Sequence, residues 1–116
     1  MAREIEELQA ELRRFAEERD WGQFHSPKNL AASLSIEAAE VLEHFQWLTE
    51  EQSRQLDEGR RQAVAHEIAD VLLYLLQLSD KLGIDPLQAA RDKLALNEQR
   101  YPADKAKGSA RKYTEL

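Results

Sequence analysis

The sequence predicts an all-α fold with four principal helices. Its 116 residues contain only four Gly and three Pro, and they are rich in Ala, Leu, Glu, Gln and Arg, which favour helix. Apolar residues recur at steps of three and four along most of the chain, which is the period of an amphipathic helix. A chain of this length forms one domain with a sizeable core, and it is small enough to gain stability from oligomerisation.

Each periodic segment predicts one helix. The first covers residues 3–19, the second 27–49, the third 60–82 and the fourth 85–99. Ser26 and Pro27 provide an N-cap and a first helical residue for the second helix. Gly83 marks the end of the third, and Asp85 with Pro86 starts the fourth.

The third predicted helix is apolar over most of its circumference, with Val71-Leu-Leu-Tyr-Leu-Leu76 at its centre. In so small a chain, such a helix predicts a contribution to a subunit interface. The polar segment 50–61 has room for a short helical piece. Residues 103–116 are rich in Lys and small residues and lack an apolar period. We therefore expect an all-α domain over residues 1–102 and a tail over 103–116 that is flexible or ordered by a ligand.

Composition and charge exclude several classes of function. The net charge of -6 and the pI near 5.1 argue against binding to a nucleic acid polymer. The absence of Cys excludes disulfides, zinc-thiolate sites and thiol nucleophiles. The N-terminus lacks the apolar core of a signal peptide, and no segment is apolar enough to span a bilayer. We expect a soluble, cytoplasmic protein without a membrane partner.

Two acidic pairs stand out within the apolar pattern. Glu37-Ala-Ala-Glu40 lies in the second predicted helix and Glu67-Ile-Ala-Asp70 in the third. A spacing of three residues places both carboxylates of a pair on one side of a helix, about one turn apart. Equal helical arms, from Glu40 to residue 49 and from residue 58 to Glu67, would set these two residues opposite each other in an antiparallel hairpin. The four acids, called the carboxylate cluster below, are therefore expected to converge.

Four converging carboxylates need a cation, because their like charges otherwise repel or force some of them to stay protonated. Hard oxygen ligands without thiolates favour Mg²⁺, with Mn²⁺ as the alternative, and Mg²⁺ shares its coordination sphere with substrate phosphates. The competing interpretation is that these acids form salt bridges on a solvated helix face.

Other residues have side chains suited to a nucleoside triphosphate. Lys93 and Arg100 are the candidates for phosphate binding, and Trp21 and Trp47 for stacking on a base. Further candidates are Lys28, Lys105, Arg111 and Lys112 for phosphates, His25 and Asn97 for the base edge, and Tyr74 for the sugar. The alternatives are solvated surface for the basic residues, core packing for the aromatic ones and a structural role for His25.

The order of these motifs resembles a known family. The two acidic pairs, followed by Lys93-x-x-x-Asn97-x-x-Arg100-Tyr101-Pro102, resemble the MazG-like all-α nucleoside triphosphate pyrophosphohydrolases. The segments Arg19-Asp-Trp-x-Gln-Phe-His, Phe45-Gln-Trp and Arg111-Lys-Tyr-Thr-Glu-Leu are similar to the dCTP pyrophosphatase branch. The resemblance covers nearly the whole chain from about residue 8, whereas His44 and the 50–61 connection match no motif of the family.

The resemblance implies a four-helix MazG-like bundle that assembles as a homodimer or homotetramer. It implies cleavage of a dNTP between the α and β phosphates to give dNMP and pyrophosphate, a nucleotide diphosphatase activity that serves to clean the nucleotide pool. The implied catalytic metal ligands are Glu37, Glu40, Glu67 and Asp70. The implied substrate contacts are Trp21, His25, Trp47, Tyr74 and Asn97 around base and sugar, with Lys93 and Arg100 at the phosphates. The residues alone choose neither the base nor the cleaved bond.

Three alternatives remain open. A di-iron carboxylate bundle also pairs acids on facing helices, but it normally carries Glu-x-x-His, which neither pair matches. A non-enzymatic helical interaction module would account for the apolar third helix. Within the enzyme class, a 5-modified dCTP is an alternative substrate to dCTP itself, because a few ångströms of pocket geometry decide between them.

Overall fold

The computed structural model describes residues 2–116, and every regular element among them is helical. The helices are α1 (Arg3–Glu18), α2 (Pro27–Glu43), α3 (Glu50–Ser53), α4 (Glu58–Leu82), α5 (Pro86–Arg100) and α6 (Ala103–Ala106). Two 3₁₀ turns cover Gly22–Phe24 and Tyr113–Glu115. The predicted all-α class is therefore confirmed. None of the described helices combines the length and apolar character needed to cross a membrane.

Local signals place several of the helix ends. The Ser26 hydroxyl accepts from the backbone N–H of Asn29 and Pro27 is the first residue of α2, as the sequence predicts. The Asp85 carboxylate caps the start of α5 in the same way. Gly83 follows α4 with a φ of 66°, a left-handed conformation that a residue with a Cβ rarely adopts.

The C-terminus of α2 differs from its predicted position. The predicted helix continues to residue 49, whereas α2 ends at Glu43 and the chain then turns. Thr49 is the N-cap of α3, where its side chain and that of Gln52 form a capping box. An extended capping residue cannot also continue a helix, so α2 must end before it. The apolar period runs on through Phe45, which is why spacing alone misplaces this end.

The chain divides into two compact units, residues 2–84 and residues 85–116. In the first unit, α4 packs against α2 and also contacts α1. Leu30 of α2 and Leu76 of α4 are each 1% exposed and form the centre of this packing. The buried amide of Gln9 on α1 donates to the Leu76 carbonyl at 3.0 Å. Helix α4 is therefore the central helix of this unit, and the position of α1 depends partly on one buried hydrogen bond.

The second unit contains α5 and the residues that follow it. The Arg100 guanidinium lies 4.6 Å from the centre of the Tyr113 ring, and the rings of Tyr101 and Tyr113 meet edge to face at 6.0 Å. These contacts hold the last residues of the chain against the end of α5. The expected division into a domain over 1–102 and a tail over 103–116 stays a prediction.

Apolar side chains on the first unit are not all covered by the chain itself. Ile36 of α2 and Ile68 of α4 are 59% and 55% exposed, and Leu72 and Leu75 of α4 are also exposed. Isolated exposed apolar residues are common, but several on one central helix are typical of an interaction surface. The predicted subunit interface on this helix stays a prediction.

Candidate active site

The carboxylate cluster forms where α2 lies along α4. Carboxylate oxygens of Glu37, Glu67 and Asp70 all lie within 4.8 Å of one another. Glu40, one turn beyond Glu37, is in hydrogen-bonding contact with both Glu37 and Glu67. The structure thus brings together all four acids that the sequence singles out. The helical arms are unequal, because α2 extends three residues beyond Glu40 whereas α4 begins nine residues before Glu67.

The electrostatics of the cluster favour protonation when no cation is bound. The hydrogen bond to Glu40, followed by burial and the neighbouring carboxylates, raises the pKa of Glu37 to about 7. Burial, followed by the contact with Glu40, raises the pKa of Glu67. The neighbouring negative charges that raise these pKa values also favour binding of a cation. A cation can replace the proton and offset the charges of several carboxylates at once.

Two oxygens of the cluster have no partner within the protein. Oε2 of Glu37 and Oε2 of Glu67 are inaccessible to solvent and accept no hydrogen bond. Buried polar atoms are nearly always satisfied, and unsatisfied oxygens on facing carboxylates are suited to binding a cation. Hard oxygen donors of this kind fit Mg²⁺ or Mn²⁺ better than softer metals. The residues of the cluster therefore fit a divalent metal ion.

The segment after α2 joins this cluster to the start of α4. Nη1 of Arg60 donates to the backbone carbonyl of His44 at 2.6 Å, which ties the end of α2 to the first turn of α4. Nε2 of His44 lies 3.8 Å from Oε1 of Glu67, too far for a hydrogen bond. The imidazole is nevertheless near enough to influence the carboxylate electrostatically, although His44 belongs to no motif recognised in the sequence.

A cleft of about 400 Å³ begins beside the cluster, within the first unit. Four predicted site residues line it, namely Trp21, His25, Asp70 and Tyr74. The Trp21 ring meets the Phe15 ring edge-on at 5.6 Å, and the His25 ring packs against Trp21 at 6.3 Å. Because Asp70 belongs to both the cluster and the cleft, a molecule in the cleft would lie next to the carboxylates.

The remaining predicted residues do not line this cleft. Trp47 lies in the turn after α2 and is 88% exposed, so core packing does not account for it. Lys93, Asn97 and Arg100 lie on α5 in the second unit, where Lys93 is exposed and the other two are half-buried. Their predicted roles toward a substrate stay predictions.

The cleft also contains residues that the sequence analysis did not assign to a site. These are Leu8, Glu11, Leu12 and Phe15 of α1, with Leu73 and Gln77 of α4. Spacing offered a signal for Gln77, because Glu67, Asp70, Tyr74 and Gln77 follow one another at steps of three and four on one side of α4. In the sequence, Leu8, Leu12 and Phe15 of α1 form an apolar stripe and Glu11 is a charged outer position. Nothing local shows that these residues line a cleft.

The two acidic pairs lie within a segment whose sequence matches a known family. The sequence model of the MazG-like family matches residues 32–116, which is most of the chain and includes all four acids. The chain belongs to the MazG-like family. The resemblance proposed from its motifs is thereby confirmed.

Individual relatives of this MazG-like chain are also similar over almost all of it. It is 43% identical to human dCTP pyrophosphatase 1 and 44% identical to the mouse protein of the same name, over 115 residues in each case. These alignments cover 97% of this chain but 66% of each relative, so the chain spans slightly less than two thirds of their length. Among solved structures, a pyrophosphatase from Archaeoglobus fulgidus matches with a TM-score of 0.82 and 46% identity, covering 88% of this chain and 95% of that one.

Proposed function

We propose that this chain is a nucleoside triphosphate pyrophosphohydrolase that cleaves a deoxynucleotide to dNMP and pyrophosphate. The proposed substrate is dCTP or a 5-modified dCTP, because the human and mouse relatives are named for dCTP. Such an enzyme removes unwanted triphosphates from the nucleotide pool. The observation that carries the proposal is the carboxylate cluster with two unsatisfied buried oxygens, beside a cleft lined by aromatic side chains.

The proposed cofactor is Mg²⁺, with Mn²⁺ as the alternative, held by Glu37, Glu40, Glu67 and Asp70. Bound there, such an ion would offset the charges of the carboxylates and of the substrate phosphates and would lower the pKa of a water molecule. The protein itself supplies the rigid hairpin that keeps the two acidic pairs together. The Arg60 bond to the His44 carbonyl fastens the connecting segment, so the ligands keep their spacing when substrate arrives.

The cleft is the proposed site for the nucleoside part of the substrate. Its walls combine apolar and aromatic side chains with a few polar groups, which is the usual composition of a small-molecule site. We propose that Trp21, His25 and Tyr74 contact base and sugar there. Burial of the base would exclude water from one side of the substrate and leave its phosphates directed toward Asp70.

We further propose that Lys93, Asn97 and Arg100 of α5 contact the substrate, with the Lys93 and Arg100 side chains at its phosphates. Cleavage between the α and β phosphates makes pyrophosphate the leaving group, on which negative charge accumulates. The positively charged side chains of Lys93 and Arg100 would stabilise that charge. Trp47 is the proposed second stacking surface for the base, because its ring is free to contact a ligand.

A homodimer or homotetramer is the proposed assembly. The exposed apolar residues of α4 support it, because a second copy of the chain would remove them from water. Light scattering coupled to size-exclusion chromatography measures the assembly directly. A monomer at micromolar concentration would contradict this part of the proposal.

The function is tested with a panel of the four dNTPs and four NTPs, each incubated with Mg²⁺ or with chelator. We expect monophosphate and pyrophosphate, fastest from dCTP or its 5-modified forms, and no turnover with chelator. Asp70→Asn should abolish turnover while the protein stays folded by circular dichroism. Absence of turnover across the panel, or turnover that persists in chelator, would contradict the proposal and favour the interaction module.

A further inference from the structure

The polar side chains of the cleft include both donors and acceptors of hydrogen bonds. Trp21, His25 and Tyr74 carry N–H or O–H groups, and the proposed function already assigns them to base and sugar. Glu11 and Asp70 are carboxylates and Gln77 is an amide, and the cleft lining includes no Lys or Arg. Asp70 belongs to the carboxylate cluster, which leaves Glu11 and Gln77 without an assigned role. Glu11 stands on α1 and Gln77 on α4, and residues of both helices line the cleft.

The amide of Gln77 is already oriented by its own helix. One N–H of its Nε2 donates to the Leu73 carbonyl one turn earlier at 3.2 Å, which fixes the orientation of the amide. The carbonyl oxygen Oε1, which only accepts, and the second N–H then remain available to a ligand. Gln77 is half-buried and also lines a smaller cavity of about 130 Å³, which shares Leu12 and His25 with the cleft.

Glu11 adds a second acceptor to the same cleft. An ionised carboxylate accepts hydrogen bonds and donates none. It is exposed, so it forms the solvent side of the cleft rather than its interior. A negative charge at this position attracts an amino group and repels a carbonyl oxygen of a nucleobase.

We propose that Gln77, assisted by Glu11, is the specificity-determining residue that selects a nucleobase with an exocyclic amino group over one with a carbonyl in its place. The proposal rests on the proposed function and adds the residues that choose its substrate. An amino group has two N–H donors, and the cleft offers two acceptors in Gln77 and Glu11. A carbonyl at that position would leave the half-buried Gln77 oxygen without a partner and would face the Glu11 carboxylate.

The expected size of the substrate preference follows from the cost of leaving a buried polar group without a hydrogen-bond partner. A site built to bond a polar group rejects an analogue that lacks it, because the polar groups of the site then stay unpaired. For one half-buried acceptor this corresponds to about a tenfold to hundredfold preference. dCTP and dUTP are the matched substrates, since they share sugar and triphosphate. They differ only at C4, which carries an amino group in dCTP and a carbonyl in dUTP, and at the adjacent N3, which accepts in dCTP and donates in dUTP.

The main experiment measures kcat/KM for dCTP and dUTP with wild type and Gln77→Leu, which removes the acceptor at similar volume. We expect the dCTP:dUTP ratio to fall at least tenfold in the variant, mostly through KM for dCTP. The matched control is Gln62→Leu on the same helix, because Gln62 is exposed and lines neither the cleft nor the smaller cavity. It should keep the wild-type ratio.

A second variant keeps the test decisive if Gln77→Leu does not fold. Glu11→Gln, on the exposed side of α1, removes the charge and adds an N–H donor, so it should raise kcat/KM for dUTP relative to dCTP. Its control is Glu7→Gln on the same helix, which lies outside the cleft. Calorimetric titration measures the affinity of the same variants and controls for dCMP and dUMP, and so tests the preference independently of catalysis.

The outcomes separate this proposal from the proposed function. Hydrolysis of dNTPs with an unchanged dCTP:dUTP ratio in the folded variants would overturn the roles of Gln77 and Glu11 and leave the pyrophosphohydrolase intact. A wild type that hydrolyses both substrates equally would do the same. Absence of hydrolysis of every nucleotide would overturn the proposed function, and the specificity proposal with it.

Discussion

Replacing Glu37 by Gln should stabilise the metal-free protein and abolish its activity. The substitution removes one negative charge from the carboxylate cluster, and the amide of the new side chain can donate to Glu40 as a protonated carboxyl does. Because Glu37 is also a proposed metal ligand, the variant loses a ligand that an amide replaces poorly. Stability in chelator and turnover in Mg²⁺ are therefore expected to change in opposite directions.

The magnitude follows from the raised pKa of Glu37, which is about 7 in the fold against an ordinary value of 4.5. At pH 8 this difference sets an upper bound of about 3 kcal/mol on the destabilisation by the ionised group. Solvent screening of a half-buried side chain reduces it to about 1 kcal/mol. For a chain of this size we expect the melting temperature of the variant in chelator to lie about 4 °C above that of wild type.

The pH dependence has a defined sign. Between pH 4.5 and about 7 the folded protein holds a proton on Glu37 that the unfolded chain has released. The free energy of unfolding of the metal-free wild type therefore falls as pH rises through this range. Glu37→Gln should flatten this part of the stability profile, and saturating Mg²⁺ should stabilise wild type more than the variant.

The assay is thermal unfolding by circular dichroism in chelator and in Mg²⁺ at several values of pH, with turnover measured on the same samples. Glu43→Gln is the matched control, because Glu43 lies on α2 and is exposed outside the cluster. It should change neither stability in chelator nor turnover by much. A Glu37→Gln protein that melts below wild type in chelator at pH 8 would refute the electrostatic reasoning.

Two further substitutions test other parts of the account. Trp47→Ala should change the free energy of unfolding by less than about 0.5 kcal/mol, because the side chain is 88% exposed. It should nevertheless raise KM for dCTP about tenfold if the ring stacks on the base. An unchanged KM in steady-state kinetics would show that Trp47 does not contact the substrate. Gln9→Leu should lower the free energy of unfolding by about 1 to 3 kcal/mol, since it removes the buried hydrogen bond to the Leu76 carbonyl. Urea denaturation measures that loss, and a variant as stable as wild type would show that this bond does not hold α1 on α4.

Much of the fold and the convergence of the four acids could be predicted from local sequence. The starts of α2 and α5 depend on capping residues and prolines that act within a few positions. The pairing of Glu40 with Glu67 follows from a hairpin of two periodic helices, even though the assumed arm lengths are wrong. The end of α2 could not be located, since its apolar period continues into the turn that precedes Thr49.

The cleft was harder to predict, because it depends on tertiary packing. The apolar stripe of α1, which includes Leu8, has the same pattern whether it fills a core or lines a cavity. Glu11 has the pattern of any charged surface residue, so neither could be assigned to the cleft before α1 is placed on α4. The residue spacing also does not predict that Trp47 is exposed. It places Trp47 one turn beyond His44 on a helix that in the structure ends at Glu43. Gln77 was accessible in principle, because it continues the spacing of Asp70 along α4.

The central claim is that the carboxylate cluster supports cleavage of a nucleoside triphosphate between its α and β phosphates. Phosphorus NMR of dCTP incubated with the protein in Mg²⁺ tests it most directly, because it identifies the broken bond and the products in one spectrum. The account predicts the resonances of dCMP and pyrophosphate, absent when chelator is added or when Glu67 is replaced by Gln. Resonances of dCDP and inorganic phosphate, or a dCTP spectrum unchanged by active, folded protein in Mg²⁺, would contradict it.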